Sequence, residues 1–123
     1  MLETKRVLVL DDDASIRSVV ADALDMEGYN VATASNGRDG LDQATRMHPD
    51  AIVLDLMMPI MDGLTFITNC RLQPWCREVP IVVISASRAL GAAAERLKEL
   101  GVRAVFPKPF DLEVLISSIA AEL

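Results

Sequence analysis

A doubly wound α/β domain is what this sequence predicts, and three observations carry the expectation. Short β-branched or aliphatic runs alternate with longer segments of helical period, the pattern of successive βαβ units. The runs are almost continuously apolar, as strands are when helices cover both faces of a parallel sheet. No Pro/Gly/Ser-rich stretch or charge block divides the 123 residues, so a single domain over 1–123 is expected.

The first strand is read at 6–10, followed by a helix that Asp13 caps and Gly28 stops. Ile16, Val19, Val20, Ala23 and Leu24 fall at i, i+3, i+4 spacing and give that helix one apolar stripe toward the sheet. The second strand is 31–34, and a helix over about 37–47 ends before Pro49, because a proline pushes its predecessor out of the helical region. A third strand at 51–54 leads to a helix over about 63–72 that ends before Pro74, with 74–78 left as a loop. The fourth strand, 81–84, precedes a helix over about 89–100 closed by Gly101. The fifth, 104–106, precedes a helix that Asp111 caps after Pro109. Right-handed crossovers then bring the carboxyl ends of all five strands to one edge of the sheet.

Composition excludes several function classes. The net charge is −6 with Lys and Arg scattered, which is not the basic footprint of a nucleic-acid binder. No apolar run approaches the roughly 20 residues that cross a bilayer. The N-terminus enters its first strand without the apolar region and cleavage site of a signal peptide, so a cytoplasmic location away from the membrane is expected. Cys70 and Cys76 are too few for a disulfide framework and have no zinc-like spacing, and are read as two reduced structural thiols. His48, the only histidine, stands before Pro49 at a helix end and is read as a solvated capping residue.

The residues that carry chemistry all follow strands: Asp11 and Asp12 the first, Asp55 the third, Ser85 the fourth and Lys108 the fifth. Three carboxylates converging at one edge repel each other unless something cationic sits among them. A hard divalent cation such as Mg²⁺ suits oxygen ligands and commonly joins carboxylates to a phosphoryl oxygen. Lys108 supplies a second positive charge. A carboxylate flanked in this way is placed for phosphoryl transfer, with Asp55 as nucleophile and Ser85 as hydrogen-bond donor to the transferred group. Taken singly, each residue has an ordinary reading: a helix cap, a strand-end hydroxyl, a solvated lysine. Their order at the strand ends favours the chemical one.

Four segments resemble the receiver domains of two-component response regulators, and the resemblance covers essentially the whole chain. They are Val7-Leu8-Val9-Leu10-Asp11-Asp12-Asp13, Asp55-Leu56-Met57-Met58-Pro59-Ile60-Met61-Asp62-Gly63, Pro80-Ile81-Val82-Val83-Ile84-Ser85-Ala86 and Phe106-Pro107-Lys108-Pro109-Phe110. The resemblance, nearest to chemotaxis-regulator-like receivers, implies a flavodoxin-like sheet of strand order 2-1-3-4-5 with five helices. It implies Asp55 as phosphoacceptor and a metal site of Asp11, Asp12, Asp55 and the Met57 backbone carbonyl, holding Mg²⁺ or Mn²⁺. It further implies Ser85 and Lys108 as phosphate-binding groups, Ser85 and Phe106 as the switch pair, and a cis peptide beside Lys108. Implied partners are a sensor histidine kinase or phosphotransfer protein and a downstream effector or attached output domain, with possible homodimers through the helix 4, strand 5 and helix 5 surface. Such a domain catalyses only its own phosphorylation and dephosphorylation.

Two rivals stand beside this reading. Asp11-x-Asp13-Ala14-Ser15 resembles the first motif of haloacid-dehalogenase phosphatases. That reading lacks a later acidic pair and a cap insertion, and leaves Asp55 and its Met-Met-Pro continuation unexplained. A pseudo-receiver that keeps the fold as an interaction module without phosphorylation is the other, and the intact Asp, Ser and Lys set speaks against it.

Overall fold

Asp13 turns the chain from strand into helix. Its backbone is extended and its carboxylate accepts hydrogen bonds from the Ser15 and Ile16 amides, satisfying donors that the first helical turn leaves without partners. Asn36, Asp62 and Asp111 do the same for three later helices. In the computed structural model, which describes residues 4–123, five strands alternate with five helices, and these four caps start all of the helices but the fourth. The order is β1 (Arg6–Leu10), α1 (Ala14–Met26), β2 (Asn30–Ala34), α2 (Gly37–Met47), β3 (Ala51–Leu54), α3 (Gly63–Arg71), β4 (Ile81–Ser85), α4 (Ser87–Glu99), β5 (Ala104–Pro107) and α5 (Leu112–Glu122).

The strands pair in parallel in the order β2-β1-β3-β4-β5, the doubly wound arrangement expected. Register places Leu10 beside Leu54 and Ile84 beside Phe106, so the carboxyl ends of the strands line up. Two apolar layers flank the sheet. Leu8, Leu10, Ile52, Leu54, Ile81 and Val83 point toward α2, α3 and α4, with Phe66 and Ile67 buried against them. Val7, Val9, Val53, Val82 and Ile84 point the other way, against Val20 and Leu24 of α1 and Leu115 and Ile119 of α5. Alternate residues of each strand serve opposite layers, which is why β1, β3 and β4 read as unbroken apolar runs.

The boundaries differ from expectation by small amounts. Helix α4 starts two residues early, at Ser87, without a side-chain cap, and residues 74–78 hold a short 3-10 turn, Pro74–Cys76. His48 is the C-cap of α2 as expected, in the left-handed region, and its ring also stacks on Trp75 at 4.9 Å.

The cysteines overturn their sequence reading. Cys70 and Cys76 are joined in a disulfide, not held as two thiols. The last turn of α3 and the 3-10 turn bring their Cα atoms to 5.6 Å, within the span a disulfide bridges. Nothing in a six-residue spacing announced this, because the approach depends on how the chain folds back before β4.

Candidate functional site

Four of the five strands deliver a polar group to the carboxyl edge. Asp11 follows β1, Asp55 follows β3, Ser85 ends β4 and Lys108 follows β5. Asp55 is 4% exposed and Asp11 and Ser85 are fully buried, while Asp12 faces solvent. The buried polar groups are all satisfied: among the described residues no buried side-chain nitrogen or oxygen lacks a partner. Ser85 Oγ donates to Asp55 Oδ1 at 2.5 Å, and the Met57 backbone N–H donates to the same oxygen at 3.0 Å. Lys108 Nζ bridges Asp55 Oδ2 at 2.5 Å and Asp11 Oδ2 at 2.9 Å.

One ammonium thus neutralises two carboxylates, and a third lies close by. Ligand oxygens of Asp11, Asp12 and Asp55 all fall within 4.8 Å of one another. The electrostatics follow. Burial pushes the Asp11 carboxyl above the ordinary carboxylate range; Lys108 and the Asp13 N–H oppose this, and the Asp55 charge adds to it. Burial alone would lower the Lys108 ammonium, but its hydrogen bonds to Asp55 and Asp11 outweigh that and hold its pKa above the usual lysine value. A surplus of carboxylate oxygens around a single lysine fits a divalent metal with oxygen ligands.

The loop after Asp55 forms the mouth. A cavity there is lined by Asp12, Leu56, Met57, Met58, Pro59 and Asp62. Met57 is 63% exposed, with its side chain in the solvent-facing rim. Gly63 allows the loop to close on itself: a Cβ there would collide with the Asp55 carbonyl and the Leu56 backbone, while its own N–H donates to the Leu56 carbonyl at 2.9 Å. The Lys108-Pro109 peptide is cis. Phe106 is half-buried against the α1 and α5 side of the sheet, one residue from the Ser85 pairing position in β5.

Asp11, Asp12, Asp55, Ser85 and Lys108 are therefore brought together, with Met57 at the rim and Phe106 behind. Asp13 is not: its carboxylate is occupied by the Ser15 hydroxyl and two amides of α1, so the Asp-x-Asp resemblance to phosphatases is helix capping. Sequence reasoning missed Arg17, whose Nη1 donates to the Asp11 carbonyl at 2.8 Å and steadies the first acidic loop. An arginine one turn into a helix gives no signal of this by itself.

Comparison with known proteins settles what this constellation belongs to. The family described as response regulator receiver domain matches residues 7–120. The chain belongs to that family. It is 38% identical over 118 residues to the transcriptional regulatory protein PrrA of Mycobacterium tuberculosis, covering 96% of this chain and 49% of that protein. The receiver spans about half the length of the curated relatives it matches. The chemotaxis response regulator CheY4 of Vibrio cholerae has the same fold, with a TM-score of 0.89 at 32% identity over 98% of this chain and all of the other. The receiver domain of the Pseudomonas aeruginosa sensor histidine kinase PA1611, at 27% identity, a TM-score of 0.85 and 97% coverage of both chains, has a magnesium ion coordinated in its active site cleft. Receivers of this family are signalling switches and not enzymes of a classical kind, and no finding favours a haloacid-dehalogenase phosphatase.

Proposed function

We propose that Asp55 accepts a phosphoryl group and that the chain, as one receiver over 1–123, uses this event as a phosphorelay switch. The observation that carries the reading is Lys108, whose ammonium joins the two buried carboxylates Asp11 and Asp55 while Ser85 occupies the other Asp55 oxygen. An Asp55 oxygen attacks the phosphorus of a phosphohistidine; the O–P bond forms, the N–P bond breaks, and the imidazole leaves. Lys108 and Ser85 are within reach of the new phosphoryl oxygens and offer charge-assisted hydrogen bonds to them. Asp11, Asp12, Asp55 and the Met57 carbonyl are the residues that would hold Mg²⁺, or Mn²⁺ in its place. A bound divalent cation supplies neutralisation of charge on the transferring oxygens.

In the same reading Ser85 and Phe106 form the switch. When Ser85 turns toward the phosphoryl group it leaves space beside β5 that Phe106 fills, shifting a pre-existing balance of states on the α4, β5 and α5 surface. That surface is the docking or homodimer face. The donor is a sensor histidine kinase or phosphotransfer protein, and the output is an effector or attached domain, in a cytoplasmic setting. The absence of a basic stripe supports an output that does not involve nucleic acid touching this domain. Met57 at the rim offers an apolar body instead of a polar group to hold attacking water, so self-dephosphorylation is slow. Met57→Asn should speed it by about tenfold.

Incubation with acetyl phosphate and Mg²⁺ should add one phosphoryl group by intact mass, and Lys108→Ala should cut the labelling. Labelling that survives Asp55→Asn or chelation of the metal would remove the proposal.

A further inference from the structure

The buried sulfur pair takes no part in the acidic site. Cys70, in the last turn of α3, and Cys76, in the 3-10 turn, are both fully buried and cross-linked at the amino edge of the sheet, opposite Asp55. Arg71 stands next to Cys70 and ties the same region together. Its Nη1 donates to the Cys76 and Val79 carbonyls at 2.6 and 2.7 Å, its Nε to the Leu100 carbonyl at 2.8 Å, and its Nη2 to the Gly101 carbonyl at 3.4 Å. The turn that carries Cys76 and the loop between α4 and β5 therefore hang on one guanidinium. That loop feeds directly into β5 through Arg103, whose N–H donates to the Ile81 carbonyl.

The residues flanking Cys76 lie at the surface. Gln73, Pro74, Arg77 and Glu78 around it are exposed, and a cavity lined by Arg71, Arg77, Glu78 and Arg103 opens beside it. Arg71, Arg77 and Arg103 outnumber the acidic groups beside them, Glu78 and the Glu122 carboxylate paired with Arg103 at 3.4 Å, and this excess draws anionic thiols. Cys76 is fully buried, so a reagent reaches its sulfur only through a local opening of this exposed turn.

We infer that Cys70 and Cys76 are a reversible redox site, a second input to the domain that acts through Arg71 on the loop between α4 and β5. Low-molecular-weight disulfides and thiols are the co-reactants. In oxidation the Cys76 thiolate attacks a glutathione disulfide, forming a mixed disulfide and releasing one glutathione thiolate. The Cys70 thiolate then attacks the Cys76 sulfur, forming the protein disulfide and releasing the second. Two protein thiols and one glutathione disulfide become one protein disulfide and two glutathione molecules; reduction is the reverse. With the cross-link broken, the Cys76 turn is held by hydrogen bonds alone and Arg71 loses a fixed anchor.

The test is a titration of the whole chain in glutathione buffers of graded oxidised-to-reduced ratio, quenched and alkylated by excess N-ethylmaleimide in denaturant near neutral pH. Intact mass should show species with no or two alkylated thiols, interconverting in both directions at one midpoint. Fluorescence of Trp75, the only tryptophan and the neighbour of Cys76, should rise on reduction with the same midpoint. Amide exchange at Val79, Val102 and Arg103 should speed by on the order of tenfold in the reduced form, with Leu8 and Val9 unchanged. A Cys70→Ser/Cys76→Ser double variant should keep the fast pattern at every ratio. A disulfide that yields only after denaturation, a mixed disulfide as end point, or reduction that leaves Val102 and Arg103 protected would overturn the inference. None of these readings requires phosphorylation of Asp55.

Discussion

At the carboxyl edge of the sheet three carboxylates face one another within a few ångströms, and one ammonium joins two of them, Asp11 and Asp55. At the amino edge a single guanidinium reaches four backbone carbonyls beside a disulfide. Both ends rest on the same covered strands, yet one is loaded with like charge and the other is tied down. Ionised groups are held close at the first edge because buried apolar strands fix where their backbones end. The order of the second edge comes from hydrogen bonds and a covalent link. A domain built this way can change charge at one end while its fold is held from the sheet and the opposite end.

Substitutions at each edge sharpen the contrast. Gly63→Ala has the largest expected effect, since the new Cβ must displace the Asp55 carbonyl or the Leu56 backbone, neither of which can swing aside. Denaturant unfolding should show a loss of about 3 kcal/mol, and phosphate acceptance should fall with it. A variant of unchanged stability would mean that the acidic loop is looser than it looks. At the amino edge, reducing the disulfide frees a short loop and should cost about 2 kcal/mol in the same assay, without moving the carboxylates. On the carboxyl side but outside the acidic pocket, Asp111→Ala removes the bond to the Val114 amide and should cost about 1 kcal/mol through α5 alone.

The smallest effect separates two carboxylates two residues apart. Asp11 is raised by burial, so the folded chain binds its proton more tightly than the unfolded chain does. Its contribution is full below the ordinary value of 3.8 and is lost as pH rises through the higher folded value. Asp13 is lowered by the Ser15 hydroxyl and the Ile16 amide, so its contribution is present above 3.8 and is lost as pH falls through its folded value. Without metal at pH 7, Asp11→Asn should therefore raise the unfolding midpoint and Asp13→Ala should lower it. Both differences should shrink in acid. Two shifts of the same sign would show that burial does not govern Asp11.

Much of this was legible in the sequence because it is local. Strand runs, caps at Asp13 and Asp111 and stops at Gly28 and Gly101 act within a turn or two, and every strand and helix was anticipated to within two residues. The site residues were legible because strand ends share an edge in any doubly wound sheet, so Asp11, Asp12, Asp55, Ser85 and Lys108 needed only their positions after strands. What escaped depends on approaches between segments distant in the chain or folded back. The Cys70 and Cys76 link needs the 3-10 turn, the Arg71 cage needs the end of α4 some 30 residues on, and the Arg17 contact needs the first turn of α1 to lie back over the end of β1. Helix α4 began early because Ser87 entered it without a capping side chain to mark the start.

Reductive trapping tests the central claim most directly. Borohydride converts an aspartyl phosphate to homoserine, and peptide sequencing by mass spectrometry then locates it. After acetyl phosphate and Mg²⁺, homoserine should appear at residue 55 alone, and it should be absent when the metal is chelated. Homoserine at Asp11, Asp12 or Asp62, or at no position, would contradict the assignment of Asp55 as the phosphoacceptor.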